Sequence, residues 1–69
     1  MALSEKIKEN RVRLGMTQEQ LAEKLNVTPQ LIYKYEQGIR IPNAYYAVSL
    51  AETFGTTVEN LVKGDETDG

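Results

Sequence analysis

Helix start and stop signals recur at short intervals along this chain. Their positions restrict its fold more than any other feature of the sequence. Four glycines each follow a stretch of helical periodicity, where a left-handed residue can end a helix: Gly15, Gly38, Gly55 and Gly64. Capping residues precede the same stretches: Ser4, Thr17 with Gln20 three positions later, Thr28 followed by Pro29, Asn43, and Thr57. These signals predict five short helices, over residues 4–14, 18–25, 29–37, 43–54 and 58–63.

Apolar residues at helical spacing supply one core, and no alternating run of β-branched and polar residues indicates a strand. We therefore expect an all-α fold. A chain of 69 residues forms a single small domain; we place it at residues 1–63 and expect the acidic tail, 64–69, to be frayed. The predicted core residues are Leu3, Ile7, Leu21, Ala22, Leu25, Val27, Ile32, Tyr35, Ala47, Leu50, Ala51, Phe54, Val58 and Leu61.

The composition excludes most enzyme classes. Without cysteine or histidine, the chain has no disulfide, no thiolate or imidazole metal ligand and no nucleophile activated by histidine. The longest apolar run, residues 44–48, is far shorter than the roughly 20 residues that span a bilayer, and the amino terminus has no signal-peptide pattern. We expect a cytoplasmic protein with no metal, cofactor, catalytic activity, small-molecule substrate or membrane association.

Charge is distributed unevenly along the chain, although the net charge is only −2. Residues 1–40 contain seven basic side chains and five glutamates, which gives a net charge of +2. Residues 41–69 contain one lysine and five acidic side chains, which gives −4. The two halves are therefore expected to contact different partners.

The second and third predicted helices are separated by a very short connection. Only Asn26 and Val27 lie between Leu25 and the next cap, Thr28. Such a turn forces a steep helix crossing, which needs a small residue at the contact and a turn residue that tolerates positive φ. Ala22 and Asn26 suit these two roles. The predicted apolar wedge between the helices consists of Leu21, Leu25, Val27 and Ile32.

The stretch around this turn resembles the helix-turn-helix domains of Xre/Cro-type phage repressors, which have the lambda-repressor-like fold. The matching residues 11–42 are RVRLGMTQEQLAEKLNVTPQLIYKYEQGIRIP, and residues 47–62, AVSLAETFGTTVENLV, fit the last two helices of that family. The chain departs from the pattern at Asn26, where glycine is usual, and at Asn10, where an apolar residue is usual. The resemblance implies a compact five-helix domain with its motif at 18–37, a recognition helix at 29–37 and a dimer that regulates transcription from operator DNA.

Helical periodicity divides the side chains of the third predicted helix between two opposite faces. Ile32, Tyr35 and Glu36 share one side. The other side presents glutamine, which can bind an adenine edge, lysine, which can bind guanine or phosphate, and an aromatic ring, which can contact a thymine methyl group. The alternative is a simple solvated helix face. The predicted base contacts are Pro29, Gln30, Tyr33 and Lys34.

Phosphate contacts are expected at the amino ends of the second and fourth helices, where free N–H groups and the helix dipole favour anions. The resemblance implies backbone contacts from Gln18 and from Arg40 in the loop after the third helix. The alternatives are a solvent-exposed charge for Arg40 and core packing for Tyr46. The predicted backbone contacts are Gln18, Thr28, Gln37, Arg40, Asn43 and Tyr46.

Arg11 and Glu36 are assigned to structure. The resemblance implies that they form a mostly buried salt bridge between the first and third helices. Because removal of one partner leaves the other charge buried and unpaired, Arg11 is expected to act through folding. The alternative is that Arg11 contacts DNA directly.

A dimer is expected because one helix contacts too few base pairs to discriminate among the sites of a genome. Two symmetry-related helices about 34 Å apart can do so. The fifth predicted helix has more apolar side chains than one core requires, and the predicted dimer contacts are Val58, Leu61 and Val62. The alternative is that all three close the core.

These observations predict a homodimeric repressor that binds double-stranded DNA at a palindromic operator. The alternative is an antitoxin or other protein-interaction module whose acidic carboxy-terminal half binds a protein partner. The uneven distribution of charge is compatible with both.

Overall fold

The computed structural model describes residues 3–63, which form five helices and no strand. The helices are α1 (Leu3–Arg13), α2 (Gln18–Leu25), α3 (Pro29–Gln37), α4 (Ala44–Phe54) and α5 (Val58–Lys63). The predicted all-α fold is confirmed. None of these helices has the length and apolar character needed to cross a bilayer. The predicted stop at Gly64 and the predicted frayed tail lie outside the described residues.

The predicted caps account for the starts of four helices. In α2, Thr17 and Gln20 form a reciprocal capping box, in which each side chain accepts a backbone N–H of the other residue. Three further side-chain oxygens each accept the backbone N–H three residues later, those of Thr28, Asn43 and Thr57. Each bond satisfies a donor that the helix itself leaves without a partner, and so fixes where the helix begins.

The cap of α1 was predicted wrongly, although the helix begins within one residue of the predicted start. Ser4 lies inside this helix, which begins at Leu3, and does not cap it. Serine is compatible with the first turn of a helix, so its presence does not by itself mark a boundary. The helix ends at Arg13, one residue earlier than predicted, and Gly15 follows in the left-handed conformation at φ 72°.

A single apolar core lies between the helices. α3 packs against both α1 and α2, and α5 packs against α1 and α4. Leu3, Val27 and Val58 are only partly buried and pack against the edge of this core. The other predicted core residues are buried: Ile7, Leu21, Ala22, Leu25, Ile32, Tyr35, Ala47, Leu50, Ala51, Phe54 and Leu61.

The connection between α2 and α3 contains the predicted left-handed residue. Asn26 adopts the left-handed conformation, at φ 60° and ψ 44°, and its backbone N–H bonds the carbonyls of Ala22 and Glu23. Ala22 is buried in the core, and α2 packs against α3. The left-handed residue therefore ends α2 and turns the chain directly into α3.

We expect Asn26→Ala to lower the free energy of unfolding by about 1 kcal/mol, because alanine adopts the left-handed conformation less readily than asparagine. Asn26→Gly should not lower it, because glycine adopts this conformation without strain. Urea unfolding followed by circular dichroism measures both changes. Asn60→Ala, at an exposed helical position of α5, is the matched control. An Asn26→Ala variant as stable as the wild type would contradict this account of the turn.

Candidate nucleic-acid interface

α3 presents its polar face outward. Gln30, Lys34 and Gln37 are exposed, and Tyr33 is 50% exposed. On the other side of the helix, Ile32, Tyr35 and Glu36 are buried. The partition of the two faces is therefore the one that helical periodicity predicted. Pro29 and Thr28, at the amino end of α3, are also exposed.

A buried ion pair fixes the inner side of α3 to α1. The Arg11 Nε donates to Glu36 Oε2 at 2.6 Å, and Arg11 Nη2 donates to Glu36 Oε1 at 3.2 Å. The side chains of Arg11 and Glu36 are 13% and 1% exposed. Arg11 Nη1 also donates to the Met16 carbonyl at 2.8 Å, so the same guanidinium fixes the connection between α1 and α2. The planar guanidinium donates these hydrogen bonds in a fixed arrangement that a lysine ammonium group could not provide.

Gln18 joins this network from the amino end of α2. Its Nε2 donates to Glu36 Oε1 at 3.1 Å, although the two residues are 18 positions apart in the chain. The sequence predicts Gln18 at the helix start but not this bond, because periodicity within one helix contains no information about partners in another. No buried side-chain nitrogen or oxygen within residues 3–63 lacks a hydrogen-bond partner.

The amino end of α2 lies beside this network. Thr17 caps the N–H of Gln20 and accepts the N–H of Leu21 through its carbonyl oxygen. The first two N–H groups, those of Gln18 and Glu19, have no acceptor within the helix. Together with the helix dipole, they favour an anion at this position.

The loop after α3 contributes a cation, and the first turn of α4 contributes two tyrosines. Arg40 and the α4 cap Asn43 are exposed. The rings of Tyr45 and Tyr46 meet edge to face, with centroids 5.1 Å apart. Tyr46 packs partly buried against the core, whereas Tyr45 is 70% exposed. Tyr46 is the tyrosine predicted to contact DNA, but Tyr45 offers the larger accessible surface. Because the two residues are adjacent in the sequence, sequence alone does not show which ring is more exposed.

Tyr35 lies beneath this loop. Burial raises the pKa of its hydroxyl above the ordinary value of 10.0; the neighbouring Tyr46 acts in the same direction, and Arg40 opposes it. Tyr35 therefore stays protonated at neutral pH. Its role is packing within the core, and it adds no charge to the interface.

One residue of the predicted dimer interface was assigned wrongly. Leu61 is 1% exposed and belongs to the core, because α5 turns this side chain towards the other helices. Val58 is partly buried against the same core, and Val62 is 44% exposed. Of the three residues, Val62 therefore offers the largest accessible apolar surface. A six-residue helix does not contain enough turns for periodicity alone to assign each side chain to one face.

Candidate metal ligands do not cluster in the part of the chain that the structure describes. Residues 3–63 contain no group of three or more aspartates or glutamates positioned to bind one metal ion. The acidic side chain that the helices bury, Glu36, bonds Arg11 and Gln18.

We expect Arg11→Ala to lower the free energy of unfolding by about 3 to 5 kcal/mol, because it leaves the Glu36 carboxylate buried without its cation. This is as large as the total stability of about 3 to 5 kcal/mol that one small core provides, so the variant should be largely unfolded at 25 °C. Arg13→Ala, at an exposed position on the same helix, should change stability by no more than about 1 kcal/mol. Urea unfolding monitored by circular dichroism distinguishes the two, and a stable Arg11→Ala variant would contradict a structural role for the pair.

Known proteins share both the sequence pattern and the fold. The sequence profile of the helix-turn-helix family matches residues 7–61. The HTH-type transcriptional activator BcrR of Enterococcus faecalis is 36% identical over 66 residues, which are 96% of this chain and 32% of BcrR. The HTH-type transcriptional regulator ImmR of Bacillus subtilis (strain 168) is 32% identical over 66 residues, which are 96% of this chain and 52% of ImmR. The chain thus spans about a third of one relative and half of the other.

Among solved structures, the P22 c2 repressor in complex with synthetic operator 9T superimposes with a TM-score of 0.89. The two proteins are 25% identical, and the match covers 94% of this chain and 98% of the repressor chain. This match and the family profile confirm the expected resemblance to phage repressors. The chain therefore belongs to the helix-turn-helix family and has the phage-repressor type of fold.

Proposed function

We propose that this protein is a sequence-specific DNA-binding transcriptional regulator that inserts α3 into the major groove. The observation that supports this most directly is the exposed polar face of α3, on a helix whose opposite side is fixed by the buried Arg11–Glu36 pair. The similarity to a repressor determined in complex with its operator supports the same function. An α-helix fits the width of the major groove, where each base pair presents a distinct pattern of donors and acceptors.

The exposed side chains of α3 have the chemistry needed to distinguish bases. Gln30 can donate to and accept from an adenine edge, and Lys34 can donate to the acceptors of guanine. Tyr33 can place its half-exposed ring against a thymine methyl group. Pro29, at the first position of the helix, provides an apolar contact at the same end. We propose these four residues as the base contacts.

Contacts to phosphates would fix the position of α3 without contributing sequence information directly. The amino end of α2 supplies two N–H groups and the amide of Gln18, and the loop after α3 supplies the Arg40 cation. The other proposed backbone contacts surround α3 and the start of α4, and they are Thr28, Gln37, Asn43 and Tyr46. Because Tyr46 packs partly against the core, the exposed ring of Tyr45 can contribute on the same side.

We further propose that the protein acts as a homodimer on a palindromic operator. The exposed surface of α3 is too short to contact more than a few base pairs, and a second copy one DNA turn away doubles the number of bases contacted. Val62, on the exposed side of α5, is the proposed centre of the subunit contact, and Val58 lies at its edge.

Repression would follow from occupation of the operator. Such a role requires no catalytic step, cofactor or small-molecule substrate, and we propose that the chain has none. Binding to genomic DNA also requires a location with access to the genome, for which we propose the cytoplasm. Because one relative is named an activator and one solved structure is a repressor, a reporter gene placed behind the operator determines the sign of regulation.

Selection from a library of random duplexes, followed by sequencing, tests the proposed function. We expect a palindromic motif with half-sites about 10 base pairs apart. Gln30→Ala and Lys34→Ala should each cost about 1 to 3 kcal/mol at one position of the half-site and relax the base preference there. Lys8→Ala, an exposed lysine of α1, is the matched control and should leave the motif unchanged. Enrichment of no sequence would contradict the proposal and favour a protein-interaction module instead.

The subunit contact is tested by Val62→Glu. A carboxylate at the centre of an apolar contact disfavours association, so we expect weaker binding to the full palindrome and unchanged binding to an isolated half-site. Val12→Glu places the same charge at an exposed valine of α1 and serves as the control. Sedimentation with labelled duplexes of both lengths measures the stoichiometry. If Val62→Glu still bound the full palindrome as a dimer with wild-type affinity, the contact would lie elsewhere.

A further inference from the structure

We infer that Glu36 is a positioning residue for DNA binding. Held by Arg11, its buried carboxylate orients the side-chain amide of Gln18 so that an N–H group of this amide is available to a phosphate oxygen. The inference rests on the proposed function, because it concerns the backbone contact at the amino end of α2. The Arg11–Glu36 ion pair would then have a second role in addition to its structural one.

The geometry restricts the carboxylate strongly. Glu36 Oε2 accepts from Arg11 Nε at 2.6 Å, and Oε1 accepts from both Arg11 Nη2, at 3.2 Å, and Gln18 Nε2, at 3.1 Å. The Glu36 side chain is 1% exposed. It cannot rotate without breaking bonds to a buried guanidinium, so the position of its oxygen atoms is set by the core.

The chemistry of the two groups then determines the orientation of the Gln18 amide. An ionised carboxylate only accepts hydrogen bonds, so the amide must direct its nitrogen towards Glu36. If the amide were reversed, its oxygen would face Glu36 Oε1, and two hydrogen-bond acceptors would lie against each other. The NH₂ group has two hydrogens, and the bond to Glu36 uses one of them. The second hydrogen remains for another acceptor.

The residue that carries this second hydrogen lies at the helix end where we propose a phosphate contact. Gln18 is the first residue of α2 and is partly exposed, so its amide lies at the boundary between the buried network and solvent. Its own N–H group and that of Glu19 lie at the same helix end without helical acceptors. A side chain that is already ordered loses little conformational entropy when it binds, so the orientation supplied by Glu36 increases affinity.

Paired substitutions separate positioning from folding. The double variant Arg11→Met with Glu36→Met removes both charges, leaves the net charge unchanged and fills the site with apolar side chains. Such replacements of buried ion pairs are often neutral for stability. The positioning role predicts that this variant remains folded but binds the selected operator about 10-fold more weakly, as Gln18→Ala also does. Adding Gln18→Ala to the double variant should cause no further loss, because the amide is already unoriented.

Two controls exclude general effects. Lys6→Met with Glu9→Met removes an ion pair within α1 without changing the net charge, and operator affinity should stay at the wild-type value. Because Gln18 is uncharged, the dependence of affinity on salt concentration should be the same for Gln18→Ala and wild type, whereas Arg40→Ala should reduce its slope by about 0.9.

A folded double variant that bound the operator as tightly as the wild type would overturn the inference. The inference would also be overturned if the fold-losses of operator affinity caused by Gln18→Ala and by the double variant multiplied in the triple variant. Failure of the proposed function is a separate outcome, in which the wild type itself selects no operator.

If the double variant does not fold, NMR of the wild type provides the test. One Gln18 Nε2 hydrogen should exchange slowly in the free protein, and the other should shift when operator is added. Two equivalent, rapidly exchanging hydrogens would overturn the inference.

Discussion

The buried carboxylate of Glu36 is the interaction on which the arrangement of the first three helices depends. It bonds Arg11 of α1 and Gln18 of α2, and it belongs to α3. The Arg11 guanidinium also bonds the Met16 carbonyl between α1 and α2, so both charged groups have several partners. Burial of an ion pair is costly unless each group is fully hydrogen-bonded. The hydrogen bonds that meet this requirement here come from three helices, so they fix the relative positions of those helices. A substitution that leaves one of these charges buried without its partner therefore affects the whole domain.

This network also separates the two faces of α3. Ile32, Tyr35 and Glu36 fix its inner side to the core, and its polar outer side remains exposed on a rigid helix. A binding site built on a fixed helix keeps its side chains closer to a productive geometry than one built on a loop. The left-handed Asn26 contributes to the same result, because it turns the chain directly from α2 into α3. Core packing and the proposed contact with DNA thus depend on the same structural elements.

Local signals in the sequence predicted most of the fold. Thr17, Thr28, Asn43 and Thr57 cap helices as expected, because a cap and its partner lie within four residues of each other. Ser4 misled because serine is also acceptable inside the first turn. The bond between Gln18 and Glu36 was missed because it links two helices through a buried group. The positions of Leu61 and of the two tyrosines could be assigned only from their burial in the structure. In a six-residue helix, or for two adjacent residues, the sequence does not show which side chain faces the core. The roles assigned to the exposed residues of α3 remain predictions.

The central claim is that the outer face of α3 contacts bases in the major groove. The most direct measurement is an NMR structure of the labelled protein bound to its selected duplex. Our account predicts intermolecular contacts from the side chains of Gln30, Tyr33 and Lys34 to the major-groove edges of bases, including one between the Tyr33 ring and a thymine methyl group. Contacts confined to phosphates and sugars, or a complex in which α3 faces solvent, would contradict it.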